Sequence, residues 1–294
     1  MIKHIVIGCG GPTGFVNYGI LKQLFLHKIW SYENIESLYG SSVGAIICIV
    51  ICMKLKIEVF EPYIINRNWN KYIDFSPSKL YKSFLNKHLI DAQFISDFLK
   101  PLLYSIDLNE NTTLLDLYNK TNIHLHIYTV NVNKKKLKAV DLNHITFPNL
   151  TIIKAAEMSC AIPLIFKSIT HDDGFYIDGG FLNAFPLNHC IKKASNINEI
   201  LAIENNIYDI NYKLTNKSTI IDIFYLLMQK IILHLNKNKK YNIPNYIFVD
   251  KSVIYDICYP SIKIWSKCLE NKSIRESLID KGSEIGKRFL KTRF

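Results

Sequence analysis

The sequence predicts an α/β fold built on a mainly parallel central sheet. Short apolar, β-branched runs alternate along the chain with longer segments of helical periodicity. The 294 residues are 49% hydrophobic, which is enough for one large core or at most two domains. Strands that alternate with helices are typical of parallel sheets, whose connections cross over as helices. A single domain is the simplest interpretation.

The elements are predicted from these patterns in chain order. Strands are predicted at 5–7, 35–39, 124–130, 137–140, 175–177 and 200–203. Helices are predicted at 15–25, from 43 onward and at 152–158. The chain between about 60 and 120 has aromatic and charged residues at helical spacing, and from about 218 it is predicted to be mostly helical.

A G-x-S-x-G pentapeptide, Gly40-Ser41-Ser42-Val43-Gly44, lies between a predicted strand and a predicted helix. The serine of such a turn sits on a tight strand-to-helix elbow, where flanking glycines allow the close packing that exposes its hydroxyl. The following helix directs its N-terminal amides at the serine and favours developing negative charge there. Ser42 is therefore the candidate nucleophile, although a pentapeptide of common residues also arises by chance.

A cluster of glycines separates the first predicted strand from the first predicted helix. One interpretation is the dinucleotide-binding pattern G-x-G-x-x-G, but with Gly8 and Gly10 as its first two glycines the third position is Thr13. Another is an oxyanion hole, in which the Gly10 and Gly11 amides face the carbonyl oxygen that Ser42 attacks. A plain strand-to-helix turn is the third interpretation.

Asp178 directly follows a predicted strand and precedes Gly179 and Gly180. A carboxylate on such a turn has little steric cover and can take a proton from a serine hydroxyl, if the fold brings the two together. The alternative is an ordinary Asp-Gly turn, which is our interpretation of Asp173-Gly174.

Most serine hydrolases use a histidine as the base. None of the nine histidines lies in a catalytic motif, and His124 and His126 alternate along a predicted strand as core and surface residues do. From the residues alone, His171 and His189 stay open as candidates.

Together, the motifs and their order resemble the patatin-like phospholipase family. The loop and its helix correspond to 9–21, the elbow to 40–44, the segment before the aspartate to 155–166 and the aspartate segment to 176–187. The resemblance covers roughly residues 5–205 and implies a three-layer α/β/α sandwich with a mainly parallel central sheet. A catalytic part would span 1–210, and 211–294 would be a mostly helical part of the same domain.

The resemblance also implies a mechanism. Ser42 would attack an acyl ester, Asp178 would be the general base of a Ser-Asp dyad, and the Gly10 and Gly11 amides would bind the oxyanion. The supporting glycines would be Gly14, Gly40, Gly44, Gly179 and Gly180. No cofactor or metal is implied. The expected substrate is a phospholipid or related acyl lipid at a membrane or droplet surface, and the alternative is a weakly active or inactive lipid-binding protein of the same fold.

Two positions depart from the family pattern. The family usually has a basic residue just before the last glycine of the loop, where this chain has Thr13, and Cys9 replaces the first glycine of the usual triplet. Both residues are small and keep the free amides of Gly10 and Gly11. Thr13 removes a charge that could assist the loop or the substrate head group.

The chain carries 36 Lys and Arg against 25 Asp and Glu, a net charge of +11. Such an excess favours anionic partners such as acidic membranes, although the chain's richness in Ile, Lys and Asn accounts for part of it. No nucleic-acid-binding module or basic stripe interleaved with aromatic residues occurs, so we expect no specific nucleic-acid partner.

The expected location is cytoplasmic, with peripheral membrane contact as an addition. The seven cysteines, Cys258 among them, form no C-x-x-C pair, and Cys48 and Cys52 are spaced to share one buried helix face. The N-terminus shows no signal-peptide pattern. The longest apolar stretch, 43–53, is shorter than the ~20 residues of a membrane-spanning helix.

Residues 220–233 are apolar nearly all round and are followed by Lys237, Lys239 and Lys240. Such a helix lies near a substrate channel or on an anionic membrane, or it is a core helix with a solvated basic end. We favour the core helix, because helices of this composition are usually buried.

Overall fold

The computed structural model describes residues 1–69, 72, 88–206, 213–216, 218–236, 241–250 and 267–293. The described strands are β1 (His4–Ile7), β2 (Ser37–Ser41), β3 (His88–Ile90), β4 (His124–Asn131), β5 (Ala139–Leu142), β6 (Leu164–Phe166), β7 (Ile169–His171), β8 (Gly174–Asp178), β9 (Ile200–Asn205) and β10 (Asn245–Val249). The described α-helices are α1 (Gly14–Leu26), α2 (Val43–Cys52), α3 (Ile57–Asn66), α4 (Gln93–Tyr104), α5 (Leu114–Thr121), α6 (Ile152–Ser159), α7 (Gly180–Asn183), α8 (Leu187–Ile191), α9 (Ile220–Asn236) and α10 (Lys272–Arg293).

The main sheet has the order β10-β9-β1-β2-β4-β8-β7, and β5 pairs with β4 as well. Neighbouring strands from β10 to β4 are parallel, whereas β5, β8 and β7 pair antiparallel. The predicted mainly parallel sheet is therefore confirmed. Strands β3 and β6 form a separate parallel pair.

Helices cover both faces of the sheet. Along β1, Ile5 and Ile7 join a large core with α1, α2, α4 and α6, whereas Val6 joins a smaller core with Leu187 and Cys190 of α8. This alternation follows from the period of two of a strand that is buried on both faces. The observed arrangement is a mixed, mainly parallel sheet flanked by helices, as predicted.

One feature of the topology positions the candidate site. Tyr128 of β4 pairs with Ser41 of β2, and the next residue, Thr129, pairs with Asp178 of β8. On the other edge of β4, Tyr128 and Thr129 both pair with β5. Because a strand residue has only two edges, β2 and β8 lie end to end along the same edge of β4. The chain that leaves β2 therefore meets the chain that leaves β8.

All six predicted strands and the three predicted helices occur, with boundaries shifted by a few residues. Sequence analysis missed β3, β6, β7 and β10, of which three have only three residues. From 218 onward the described elements are the helices α9 and α10 and one strand that the pattern did not indicate, β10 (Asn245–Val249), which pairs with β9. Cys48 and Cys52 are buried in α2 as predicted, and Cys258 lies outside the described residues.

The preference for a core helix at 220–233 holds for only one face of α9. Leu226, Met228 and Ile232 are buried, whereas several other apolar residues of this helix are exposed. Lys237, Lys239 and Lys240 lie outside the described residues. Among the helices that the structure describes, none is long and apolar enough to cross a bilayer.

Candidate active site

Ser42 lies on a strained elbow between β2 and α2. It is the residue before the first turn of α2 and has φ +57° and ψ −127°, a backbone conformation that non-glycine residues rarely adopt. Its amide donates a hydrogen bond of 2.9 Å to the Ser159 hydroxyl. The serine is therefore held at the N-terminus of α2, where the helix dipole favours negative charge, as the pentapeptide predicted.

The glycines of the elbow are required by close approaches of the backbone. A Cβ atom at Gly44 would lie 2.3 Å from the Ile7 carbonyl oxygen of β1, and one at Gly40 would lie 2.5 Å from the Gly44 carbonyl oxygen. No side chain fits at either distance without displacing backbone. The G-x-S-x-G spacing thus lets α2 start directly against the central strands.

Asp178 ends β8 and reaches the elbow because β8 and β2 meet end to end. Its amide donates to the Ala161 carbonyl at 2.9 Å, and its Oδ1 accepts a 2.7 Å hydrogen bond from the Gly180 amide. Its buried Oδ2 has no hydrogen-bond partner among the described residues. Burial raises the pKa of Asp178 to about 6, while the neighbouring Ser42 side chain and the Gly180 amide act to lower it.

The glycine loop follows β1 and lies beside the elbow. Gly11 has φ +56° and starts a short 3₁₀ turn that ends at Thr13. Its amide has no partner within that turn, as for every first helical residue. Gly11 and Ser42 line the same cavity. The structure thus brings the predicted loop to the predicted nucleophile.

The other supporting glycines lie where these segments touch. A Cβ atom at Gly14 would lie 2.4 Å from the Val43 side chain, and one at Gly179 would lie 2.6 Å from the Ser41 hydroxyl. One at Gly180 would lie 2.9 Å from the Asp178 carboxylate. Loop, elbow and aspartate turn therefore form one packed unit.

Asn205 is hydrogen-bonded to the start of the glycine loop. Sequence analysis gave it no role. Its side-chain amide donates to the carbonyl of Cys9 at 2.9 Å and to that of Gly8 at 3.4 Å. The Cys9 amide in turn donates to the Ala184 carbonyl at 2.8 Å. Asn205 ends the buried strand β9, and the carboxyl edge of a parallel sheet is where ligand sites collect. Its place at the end of a predicted strand was the feature of the sequence that could have indicated a role in the site.

Ser159 connects Ser42 to the aspartate segment and was also missed. Its hydroxyl accepts from the Ser42 amide and donates to the Tyr128 carbonyl at 2.7 Å. Its own carbonyl accepts from the Gly179 amide at 3.3 Å. Ser159 lies in the 155–166 segment, so the resemblance marked its neighbourhood without indicating this contact.

The two residues that depart from the family pattern are both buried. Thr13 is 1% exposed, lies against Gly10, and its hydroxyl has no partner among the described residues. Cys9 packs against Gly180, and burial raises the pKa of its thiol, which keeps it neutral. Position 13 in this chain thus fills space beside the loop and supplies no charge.

A cavity of about 140 Å³ extends from Ser42 between α1, α2, α3 and α4. Its lining is almost entirely apolar and includes Phe15, Ile46, Phe60, Trp69, Phe98 and Ile162. No histidine is among the residues that the structure places around it. Such a lining suits a hydrocarbon chain and leaves Ser42 as one of its few polar groups.

The two histidines left open lie elsewhere. His171 is beside the turn that joins β7 to β8, and the exposed His189 contacts the Tyr128 ring at 4.8 Å. Within the described part of the chain, no group of three or more His, Cys, Asp or Glu residues could hold a metal ion.

Comparisons with known proteins agree with this geometry. The model of the patatin-like phospholipase family matches residues 5–191. A probable lipid hydrolase of Invertebrate iridescent virus 6 is 27% identical over 192 residues, 65% of this chain and 63% of that protein. Triacylglycerol lipase 4 of Saccharomyces cerevisiae is 26% identical over 236 residues, 69% of this chain but 24% of that protein. The chain thus spans less than two thirds of the length of these relatives.

The fold itself also has a solved counterpart. VipD from Legionella pneumophila superposes with a TM-score of 0.54 at 15% sequence identity, over 99% of this chain and 67% of that one. At this identity the likeness concerns the architecture alone.

Proposed function

The chain belongs to the patatin-like phospholipase family, and from that premise we propose that it hydrolyses carboxylic ester bonds of phospholipids or related acyl lipids. The observation that carries the proposal is the pair formed by Ser42 and Asp178. A strained serine at a helix N-terminus lies beside a buried carboxylate that has one free oxygen and no hydrogen-bonded cation among the described residues.

In the proposed reaction, Ser42 Oγ attacks the acyl carbonyl carbon and Asp178 Oδ2 takes the serine proton. The carbonyl oxygen becomes an oxyanion that the Gly10 and Gly11 amides stabilise. The intermediate collapses, the alcohol leaves with the proton from Asp178, and an acyl-enzyme remains. Water then attacks the acyl carbon, Asp178 accepts its proton, and the fatty acid leaves as Ser42 recovers its hydrogen.

The surroundings of the pair support this substrate class. The apolar cavity that starts at Ser42 suits one acyl chain, and its lining keeps water away from the reacting bond. The net charge of +11 favours an anionic lipid surface as the place of reaction. We place that surface at a membrane or lipid droplet.

The test is hydrolysis of p-nitrophenyl butyrate, which is soluble, and of phosphatidylglycerol in vesicles. Ser42→Ala should lower both rates to the uncatalysed background. Ser37→Ala is the matched control, because it removes a hydroxyl from the other end of β2, where the partner is His4. Equal rates for Ser42→Ala and wild type would overturn the proposal. A wild type that binds vesicles without turnover would instead support the lipid-binding alternative.

A further inference from the structure

Helix α9 packs against the segments that carry the candidate site. Met228 is buried with Phe166 and beside Ile162, two residues that line the cavity at Ser42. Ile232 packs against Cys9 and Ala184, which flank the glycine loop and the aspartate turn. The inner face of α9 therefore packs behind residues that line the cavity and beside those that flank the site.

Asn236 anchors the end of this helix. Its Oδ1 accepts a 3.2 Å hydrogen bond from the Ala184 amide, and its side-chain amide donates to the Ile232 carbonyl at 2.9 Å. The same amide lies 3.4 Å from the Gly180 carbonyl oxygen. The C-terminal end of α9 is therefore hydrogen-bonded to the segment that follows Asp178.

The opposite face of α9 is apolar and exposed. Five large side chains there are between 41% and 81% exposed: Ile220, Ile223, Leu227, Ile231 and Leu235. At 100° per residue these positions fall within an arc of roughly 120°, so they form one continuous stripe. We refer to these five residues as the outer stripe.

The charged residue at the edge of the outer stripe is a lysine. Lys230 is exposed and lies at the edge of the arc, and His234 is exposed within it. The helix has one acidic residue, Asp222, whose carboxylate accepts from the amide and hydroxyl of Thr219, both at 2.8 Å. Asp222 therefore serves as part of the helix N-terminal cap. An apolar stripe flanked by a cation is typical of helices that lie in an anionic lipid interface.

The outer stripe is too small to bind a second copy of the chain stably, whereas a bilayer sets no such requirement. Five side chains that expose about half of their surface offer on the order of 500 Å², whereas a stable protein interface buries about 800 Å² on each partner. A bilayer requires no matching surface, and it contains the acyl chains that the cavity suits.

We propose that the outer stripe of α9, the helix whose inner face packs behind the Ser42 cavity, docks into the surface of an anionic phospholipid bilayer. This proposal rests on the proposed function for its biological meaning, since docking brings the cavity to its substrate. The stripe enters the interfacial region to the depth of its side chains, and Lys230 contacts the lipid phosphates.

The experiment measures vesicle co-sedimentation of Ser42→Ala protein, so that lipid is not consumed during binding. Vesicles are equimolar phosphatidylglycerol and phosphatidylcholine, or phosphatidylcholine alone. Adding Leu227→Ser and Ile231→Ser should weaken binding to the anionic vesicles at least about tenfold. Ile145→Ser, at an apolar residue outside α9 that is 70% exposed and so more exposed than Leu227 or Ile231, should leave binding unchanged. Lys230→Gln should weaken binding to anionic vesicles severalfold and leave phosphatidylcholine binding unaffected.

Hydrolysis of p-nitrophenyl butyrate by the stripe variants with Ser42 intact separates this proposal from the proposed function. Unchanged turnover with lost vesicle binding supports docking and shows that the variants are folded. Retained vesicle binding by the double variant would overturn docking whatever the turnover. A dimer in sedimentation equilibrium that the double variant loses would assign the stripe to a second copy and also overturn it. Lack of turnover by wild type that still binds through the stripe would remove the proposed function alone.

Discussion

Two carboxylates, Asp178 buried and Asp141 partly exposed, lie opposite neighbouring residues of β4, and their surroundings differ. Asp141 of β5 pairs with Tyr128, and Asp178 of β8 pairs with Thr129. Directly opposed residues share a face of the sheet, and neighbouring residues of a strand point to opposite faces. The two carboxylates are therefore on opposite faces, and only Asp178 is on the face that carries the cavity.

Their partners explain two opposite pKa shifts. His126 Nδ1 lies 2.9 Å from both Asp141 oxygens, and Lys193 lies 3.9 Å away. Burial raises the pKa of Asp141, but the hydrogen bond and charge of His126 and the charge of Lys193 outweigh it and lower the pKa overall. Asp178 lacks an ion pair among the described residues, so burial dominates and raises its pKa to about 6.

We therefore assign a structural role to the His126–Asp141 pair. His126 and Asp141 satisfy each other on the face away from the cavity, which is typical of a structural contact. A carboxylate that is left partly unsatisfied beside a nucleophile is the arrangement suited to proton transfer.

The largest expected difference is in turnover. Asp178→Asn should lower the rate of p-nitrophenyl butyrate hydrolysis by about 10²–10⁴-fold, because it removes the proposed general base. Asp141→Asn should leave the rate within about threefold, since that carboxylate contacts neither the cavity nor Ser42. Comparable losses in both variants would contradict the separation of roles.

The two substitutions should change the free energy of unfolding in opposite directions. The difference between a pKa of about 6 and the ordinary 3.8 corresponds to about 3 kcal/mol of destabilisation by ionised Asp178 at pH 8. Asp178→Asn should therefore raise the free energy of unfolding by up to that amount, and the gain should shrink towards pH 4. Asp141→Asn should lower it by about 1–2 kcal/mol at pH 8, because the partners of the carboxylate lose a charged acceptor. Urea unfolding at both pH values measures these changes, and a stability loss in Asp178→Asn would count against an ionised, destabilising carboxylate.

The pH dependence of turnover should follow Asp178. A base must be deprotonated, so kcat/KM should rise about tenfold between pH 5 and pH 7 with an apparent pKa near 6. Asp141 has a lowered pKa, so its stabilising contribution is present above its ordinary pKa of 3.8 and is lost only as the pH falls below that value. As the pH falls from 7 to 5, activity should thus decline while circular dichroism shows an intact fold. A flat rate profile from pH 5 to 8 would argue against Asp178 as the base.

The smallest effect concerns positioning. Ser159→Ala removes the acceptor of the Ser42 amide and should lower kcat severalfold with little change in KM, because the elbow loses one restraint. Ser37→Ala again serves as the control, since it removes a buried hydroxyl that bonds His4 at the start of β2, away from the elbow. An equal effect of both substitutions on kcat would mean that Ser159 acts through general stability.

The local elements of this comparison could be predicted from sequence, and their arrangement could not. Glycine spacing marked the Ser42 elbow and the Asp178 turn, because a Cβ atom at these glycines would lie only 2.1 to 2.9 Å from neighbouring atoms. The end-to-end placement of β2 and β8 depends on pairing between residues far apart in the chain, which no local pattern encodes. The same limit hid Ser159 and Asn205, whose partners are 117 and 196 residues away.

The exposed stripe of α9 was missed for a related reason. Its composition is that of a buried helix, and only the position of its neighbours determines which face is covered. Strands of three residues, such as β6 and β7, are too short to show a period of two.

The reactivity of Ser42 towards a fluorophosphonate provides the most direct test of the Ser42–Asp178 pair. The labelled residue is identified by peptide mass spectrometry, and the rate of labelling is compared for wild type, Asp141→Asn and Asp178→Asn. We predict a single label on Ser42, a rate for Asp141→Asn within about threefold of wild type, and a fall of at least about 100-fold for Asp178→Asn. A label on another residue, or equal rates for Asp178→Asn and wild type, would contradict the pair as the reactive centre.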